Sequence, residues 1–479
     1  MKYDFVVIGG GSAGYAGART ASALGLKTCV IEGGSEIGGL CILRGCMPSK
    51  TLIESANRLR AIRHGREFGL RAEQIGFDAG MIVARKRRLV AEFADYRRDQ
   101  LEQGDFDFLR GTASFIDGTN LRVKAPDGAE QTVAARSFLI ATGSVVSVPD
   151  IPGLSGADYL TSDDVLDLAD IPESVIVLGA GPVALELAHY LNALGSHVSI
   201  VQRSPQLLKG TDRDIAEVIA KAFRKRGMEV FTKTKLLRVE RGEAACRVTF
   251  EHEGAGKSIE AAAILNALGR EPKILGLGLE KAGVNRNNNA IAVNAHQQTS
   301  ASHVFAAGDC CGPFEVVHMA IEQGERAARN AVRFLKGDSG FESMDYRLKL
   351  YITFTEPQVA AVGLSESEAK SQGIDYLVAT YPFHDHGKSL IMDETEGFVK
   401  LLADKSTREI LGGSVVGPDA SELIHEVVVA MRFRATAGQF AAIPHYHPTL
   451  SEIWLYPAEE LADISPESAV ILPGAHRSA

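Results

Sequence analysis

The chain has 479 residues, 45% hydrophobic and 23% charged, the make-up of a globular protein with room for three or four domain-sized units. Its net charge of −9 excludes nucleic-acid binding by bulk charge, and no apolar run approaches the ~18 residues that span a bilayer. Six cysteines are too few for a disulfide scaffold, so a closely spaced pair in a reducing compartment reads as catalytic rather than structural.

The first residues carry no charged start, long apolar core or cleavage site of a signal peptide, so the expected location is cytoplasmic. Instead the apolar, β-branched run Tyr3–Ile8 predicts a strand leading straight into Gly9-Gly10-Gly11-Ser12-Ala13-Gly14. A helix-like run to Leu24 follows, then a short strand, Lys27–Ile31, ending at Glu32. The same order returns later. A strand over Ser174–Leu178 leads into Gly179-Ala180-Gly181-Pro182-Val183-Ala184, a helical run to Leu194, and a strand His197–Val201 ending at Gln202-Arg203. Strand, glycine turn, helix and strand begin a Rossmann unit. One such glycine pattern is weak evidence, but two copies, each between a predicted strand and helix, are strong. Gly9 and Gly179 would permit the tight turn, Gly11 and Gly181 the approach of a pyrophosphate, and Gly14 close helix–strand packing; Ala184 replaces this third glycine in the second copy. The N–H groups at each helix start would face the phosphates.

Two fingerprints imply two dinucleotides. Glu32 stands 18 residues after Gly14, where an acid accepts hydrogen bonds from an adenosine ribose. In the second copy that place is Gln202, followed by Arg203, with Lys209 six residues on. An acid there would repel a 2′-phosphate, whereas an arginine would pair with one. The expectation is FAD at the first site and NADPH at the second, with NADH the alternative if Arg203 is merely exposed.

Just after the first unit comes Gly38-Gly39-Leu40-Cys41-Ile42-Leu43-Arg44-Gly45-Cys46-Met47-Pro48-Ser49-Lys50. Two cysteines beside a bound flavin can store two electrons as a disulfide and return them as thiols. Residues i and i+5 of a regular helix lie roughly 8–9 Å apart, and a disulfide needs Cα atoms within about 7 Å. Cys41 and Cys46 therefore cannot share an undisturbed helix and be bridged. Gly45 and Pro48 supply the irregularity, with a helix predicted from about Pro48 to His64. Cys46 would then lie just before that helix start, where its thiolate is favoured. A zinc half-site is the competing reading, but no second pair stands at ligand spacing, and no metal site is expected. Further on, Arg85-Lys86-Arg87-Arg88 reads as a solvated helix face.

Phe138-Leu139-Ile140-Ala141-Thr142-Gly143-Ser144 reads as a strand ending in a small-residue turn, and Pro149 and Pro152 mark a crossover. Leu268-Gly269-Arg270-Glu271-Pro272 is read as the end of another strand. In Val304-Phe305-Ala306-Ala307-Gly308-Asp309, an aspartate after a strand and a glycine can hold a polar ligand chain such as a flavin's ribityl. Cys29 reads as strand core and Cys246 as a small apolar residue; Cys310-Cys311 reads as incidental, with redox or soft-metal contact as the alternative. From about residue 345, strands (Gln358–Val362, Gly397–Leu402, Gly412–Val416) alternate with helical segments (Ser365–Gln372, Ala420–Thr436) without a nucleotide motif. The region ends in His445, His447 and Glu452, with His445 expected to pack.

In order, the motifs G-x-G-x-x-G, C-x4-C-x-P-S-K, A-T-G, G-x-G-x-x-A, G-D and H-P-T-x-S-E resemble those of the flavin-dependent pyridine nucleotide–disulfide oxidoreductases over essentially the whole chain. The likeness is strongest to the dihydrolipoamide dehydrogenase branch, with features of mercuric and glutathione reductases. It implies an α/β fold of two Rossmann-like dinucleotide-binding domains and a C-terminal α+β dimerisation domain. The expected divisions are 1–149 with 273–344 for FAD, 150–272 for NAD(P), and 345–479 for the interface. By that resemblance Gly9, Gly11, Gly14, Glu32, Gly39, Lys50, Ala141, Thr142, Gly143, Gly308 and Asp309 fall at FAD positions. Gly179, Gly181, Ala184, Arg203, Lys209, Gly269 and Arg270 fall at NAD(P) positions. Cys41 matches the thiol that attacks substrate and Cys46 the thiol touching the flavin. Lys50 and Glu186 match a pair near the reactive flavin nitrogen, and His447 and Glu452 an acid–base pair contributed by the other subunit of a homodimer. The implied partner is a small disulfide or dithiol, or a lipoyl-bearing protein, with neither nucleic acid nor membrane involved.

Two positions depart from the family. Leu40 and Leu43 stand where threonine and asparagine are usual, which makes the dithiol's surroundings more apolar and should disfavour a thiolate. Arg203 also argues for NADPH, which dihydrolipoamide dehydrogenases do not typically use. Alternative acceptors are therefore a metal ion such as mercuric, a glutathione-type disulfide or a quinone. A redox sensor without turnover and an oxidase with a vestigial dithiol are the other classes.

Overall fold

A computed structural model of the chain describes residues 2–243 and 245–463. Residue 1 and the portion of the expected third unit at 464–479 lie outside the described residues. The strand Lys2–Ile8 sits inside a seven-stranded sheet, flanked in parallel by Thr28–Glu32 and Glu130–Ile140. Phe5, Val6, Val7 and Ile8 are all buried, as a parallel strand covered on both faces requires. Val304–Ala306 pairs with Glu130–Ile140, so the chain returns to this sheet after an excursion of more than a hundred residues.

Within that excursion a second, parallel sheet runs Glu229–Phe231, His197–Val201, Ser174–Leu178, Ala263–Asn266. A third, antiparallel sheet of five strands (Leu350–Thr353, Gln358–Gly363, Ile410–Gly417, Phe398–Asp404, Tyr376–Pro382) carries the helix Ala420–Arg432. The three sheets nucleate largely separate apolar cores, and the one around the second sheet also takes in Leu52, Ile53, Ala56 and Leu59 from the helix Cys46–His64. The dithiol's helix is thereby clamped against the second unit.

Four expectations need correction. The strand expected to end in Leu268–Pro272 stops at Asn266; Gly269 turns at φ 125°, and Arg270–Pro272 pairs antiparallel with Ser144–Val146. The helix expected to reach Thr436 stops at Arg432, because Arg434 takes a left-handed φ of 55° and Thr436 caps a new helix, Ala437–Ala441, in a reciprocal box with Gln439. The dithiol helix starts at Cys46 rather than Pro48. Pro48 fits within that first turn, where its missing N–H has no intrahelical partner to lose. Finally, the basic run is not wholly solvated: Lys86 is buried and reaches Asp167 at 2.7 Å, and Arg87 meets the same carboxylate at 2.9 Å.

Candidate active site

Gly39 has φ 71°, and a Cβ on it would stand 2.7 Å from the Gly11 Cα. Only glycine lets the segment ahead of the cysteines lie directly on the first dinucleotide turn. Cys41 follows in the short helix Gly39–Leu43. The chain breaks at Arg44 and Gly45, and Cys46 is the first residue of the next helix. This break brings the two half-buried thiols into mutual hydrogen bonding. Both cysteines are in the free thiol form.

Their surroundings separate them. Cys46 is lowered to about 7, first by the hydrogen bond with Cys41 and then by the Lys50 charge, against the opposing effect of burial. Cys41 is pushed far up by its bond to Cys46 and by burial. Burial thus disfavours ionisation at both thiols but is outweighed at Cys46.

Lys50 is four residues beyond Cys46, one turn along the same helix face. Its Nζ meets Glu186 Oε2 at 2.7 Å and lies 4.7 Å from the centre of the Phe354 ring. The buried Glu186 comes from the helix Pro182–Ala193, and its other oxygen accepts the Phe354 N–H at 3.0 Å. All three sheet units converge on this pair.

The two glycine turns are built alike. Gly11 and Gly181 are the N-caps of Ser12–Ala23 and Pro182–Ala193, neither with a side-chain cap, so the first N–H groups of both helices lack intrahelical partners. A Cβ at Gly14 would overlap the Gly9 carbonyl oxygen at 1.8 Å, whereas Ala184 keeps its methyl, fully buried. Glu32 accepts from the N–H of Gly10 at 2.7 Å and of Gly34 at 2.6 Å, which fixes its carboxylate at the strand end. Thr142 Oγ1, just past the strand on the other side of Lys2–Ile8, is buried with no partner among the described residues, and Gly143 borders open space. Ala141 is buried at the close of the same strand. Ser144 donates to Asp309 Oδ2 at 2.6 Å, and Arg270 holds Ser144 through its hydroxyl and carbonyl. Gly308 donates its N–H to Gln323 at 2.7 Å. This cradle, with orphaned N–H groups, an orphaned hydroxyl and an anchored carboxylate, fits a dinucleotide with a polyhydroxyl chain. At the second turn, Arg203 and Lys209 are exposed, and neither is ion-paired among the described residues.

His447 Nδ1 lies 3.0 Å from Glu452 Oε2; its side chain is 79% exposed while that of Glu452 is 10% exposed. No hydrogen bond or ion pair joins this pair to the dithiol within one chain, among the described residues. His445 makes a polar pairing, its Nε2 2.5 Å from Glu426. Cys310 and Cys311 are buried and bond the carbonyls of Ala307 and Gly308. Cys29 is core, but Cys246 also accepts from Arg241 at 3.0 Å. No group of three or more His, Cys, Asp or Glu side chains suited to a metal ion occurs among the described residues.

Phe354, Ser144, Gln323 and His386 were invisible to motif reasoning. Phe354 and Ser144 lie 168 and 165 residues from Glu186 and Asp309, and His386 meets Glu452 across the third sheet unit, whereas Gln323 is 15 residues from Gly308.

A family model described as pyridine nucleotide-disulphide oxidoreductase matches residues 3–324, and the dimerisation domain of the same family matches 350–457. The chain is 34% identical to the dihydrolipoyl dehydrogenase of Mycobacterium tuberculosis over 94% of its own length and 96% of the relative's. It is 33% identical to a Staphylococcus aureus mercuric reductase over 91% of its own length and 78% of the relative's. Among solved structures, LpdA from Mycobacterium tuberculosis superposes with a TM-score of 0.85 at 29% identity, covering 96% and 99% of the two chains. The Cu(II) complex of the HOCl-induced flavoprotein disulfide reductase RclA from Escherichia coli gives 0.83 at 28% identity, with the same coverage.

Proposed function

The chain belongs to the pyridine nucleotide–disulphide oxidoreductase family, and from that premise we propose that it exchanges electrons between NADPH and a disulfide or dithiol substrate through Cys41 and Cys46. It is a dihydrolipoyl dehydrogenase-like flavoprotein oxidoreductase using FAD and a nicotinamide dinucleotide. The observation that carries the reading is the pair of neighbouring thiols, Cys46 acidified, beside Lys50–Glu186 and seated on the first glycine turn.

The units are 1–149 with 273–344 for FAD, 150–272 for the nicotinamide dinucleotide, and 345–479 for the interface; the return of Val304–Ala306 to the first sheet supports the discontinuous first unit. Gly9, Gly11, Gly14, Glu32, Gly39, Ala141, Thr142, Gly143, Gly308 and Asp309 would hold FAD. The turn Gly179–Ala184, with Arg203, Lys209, Gly269 and Arg270, would hold NADPH. The free, exposed guanidinium of Arg203 supports NADPH over NADH. FAD, when bound, supplies two-electron transfer between nicotinamide and dithiol.

In the reducing direction, His447 takes the proton of the Cys41 thiol as Cys41 attacks one sulfur of the substrate disulfide and its S–S bond breaks. The departing sulfur takes a proton from His447. The Cys46 thiolate then attacks Cys41 Sγ, forms the Cys41–Cys46 disulfide, and releases the second substrate sulfur as a thiolate that takes its proton from water. The substrate is reduced to a dithiol as the protein's dithiol is oxidised. Glu452 holds His447 in the Nδ1–H tautomer, which leaves Nε2 for the proton transfer. His447 serves the partner chain of a homodimer. The exposed Val429, Phe433, Ile443 and Tyr446 around its loop support that face as the contact.

The test is an anaerobic titration with NADPH and NADH in parallel, followed by turnover with lipoamide, glutathione disulfide and mercuric ion. Preferential reduction by NADPH and loss of disulfide turnover in Cys46→Ser are expected. Retained turnover in that variant would overturn the dithiol route.

A further inference from the structure

Glu452 has a second histidine behind it. His386 lies in the segment between the strands Tyr376–Pro382 and Phe398–Asp404 and is fully buried. Its Nδ1 is 2.9 Å from the hydroxyl of Ser389, itself fully buried. Its Nε2 is buried with no hydrogen-bond partner at normal distance, and the group it faces is Glu452 Oε1, 3.4 Å away. His447 Nδ1 takes the same carboxylate at 3.0 Å through Oε2 and at 3.2 Å through Oε1. Glu452 is therefore flanked by two imidazoles, one buried and one exposed.

The chemistry assigns the protons. A bare nitrogen lone pair facing a carboxylate would be repelled, so Nε2 carries hydrogen and Nδ1 accepts from Ser389. The charged and titratable groups around the ring are few. Glu452 favours a proton on it and His447 disfavours one, while Tyr456 of the helix Leu455–Asp463 meets the ring edge-on at 6.4 Å. Tyr456 is stacked on Tyr381, whose hydroxyl is bound to Asp385, so that acid is already occupied. Burial holds His386 below the ordinary imidazole range, hence neutral at pH 7.

We propose that His386 is a positioning residue for the proton-transfer pair, its Nε2–H donating to Glu452 so that the carboxylate is shared with His447. The inference rests on reading His447 as the acid–base group. A shared carboxylate is anchored from both sides and is a weaker base toward His447 than an unshared one. Ser389 fixes the tautomer that makes sharing possible. The 3.4 Å gap closes to hydrogen-bonding distance with a movement of roughly 0.5 Å.

The test compares His386→Leu, His386→Gln, Ser389→Ala and Glu452→Gln in the full-length, FAD-loaded protein, with FAD content as the folding control. The readout is the pH dependence of steady-state turnover. In His386→Leu, Glu452 is left to His447 alone, so the limb belonging to His447 moves to higher pH by roughly 0.5 unit, with lowered kcat. His386→Gln retains an N–H at the position of Nε2 and restores the limb. Ser389→Ala moves it upward by less and serves if the leucine variant does not fold. An unmoved limb in both His386→Leu and Ser389→Ala, while Glu452→Gln shifts it, overturns the role of His386 and leaves the acid–base reading standing. Full turnover in Glu452→Gln and His447→Ala would instead sink the acid–base reading itself.

Discussion

Cys46 owes its reactivity to two neighbours, the Cys41 thiol and the Lys50 ammonium one turn along. Lys50→Met removes the second, and the Cys46 thiolate signal of the reduced protein, with a midpoint of about 7, should move to higher pH in an ultraviolet titration. The same ionisation affects stability. A thiol more acidic folded than unfolded favours the folded state above its ordinary range, and that benefit fades as pH falls through about 7. Cys41, held protonated, acts in the opposite sense only above the ordinary thiol range. Thermal melts of the reduced protein should therefore lose stability between pH 9 and pH 7 (the span is about two units), and a Cys46→Ser variant should lose that slope. Arg203 offers a separate measurement. Arg203→Ala should lower kcat/KM for NADPH by roughly 10- to 100-fold with little change for NADH, the loss of one charge-assisted phosphate contact. An equal loss for both cofactors would remove the argument for NADPH.

At the scale of elements, the glycine contact between Gly39 and Gly11 fixes where the dithiol stands relative to the first turn. Gly39→Ala combines a left-handed φ of 71° with a methyl 2.7 Å from the Gly11 Cα. It should cost about 1–3 kcal/mol in denaturant unfolding and weaken FAD retention. The strands Ser174–Leu178 and His197–Val201 were readable to the residue, because parallel strands covered on both faces are continuous apolar runs bounded by turns. The helix break before Thr436 was readable too: Thr436 and Gln439 spell a capping box, but the apolar periodicity across Ala420–Arg432 masked it. Lys86 was misread because a charge run says nothing about which of its members faces inward, and Asp167, its acceptor, is 81 residues away. His386 and Phe354 were illegible for the same reason. Their roles exist only after distant strands have been paired.

Across the whole molecule, polar contacts pin the units together, and two of these junctions bear on the site. One is the junction of Lys50, Glu186 and Phe354 behind the thiols. The other is Lys400, fully buried in the third sheet, which meets Asp214 at 2.5 Å, Glu366 at 2.8 Å and Asp212 at 3.4 Å. Asp212 and Asp214 lie at the start of the helix Arg213–Lys225, a few residues after Lys209, so the tie anchors the end of the segment that carries Arg203 and Lys209. Burial would lower the Lys400 ammonium, but Asp214 and Glu366 outweigh it and hold the charge. Lys400→Met leaves a carboxylate cluster without its cation and should cost about 3–5 kcal/mol, measured by chemical unfolding. Weaker NADPH binding should accompany it.

On the proposed role of His447 in a partner chain's site, its exposed ring makes the rate depend on how many chains are present. In that reading a single chain holds thiols but offers its proton donor to a neighbour. Specific activity should therefore decline on dilution below the strength of the chain–chain contact, at saturating cofactor and substrate. Two dead variants, one lacking Cys41 and one lacking His447, should complement each other when co-assembled, because each mixed pair regains one whole site. Inactivity of such mixtures would mean that the histidine serves its own chain.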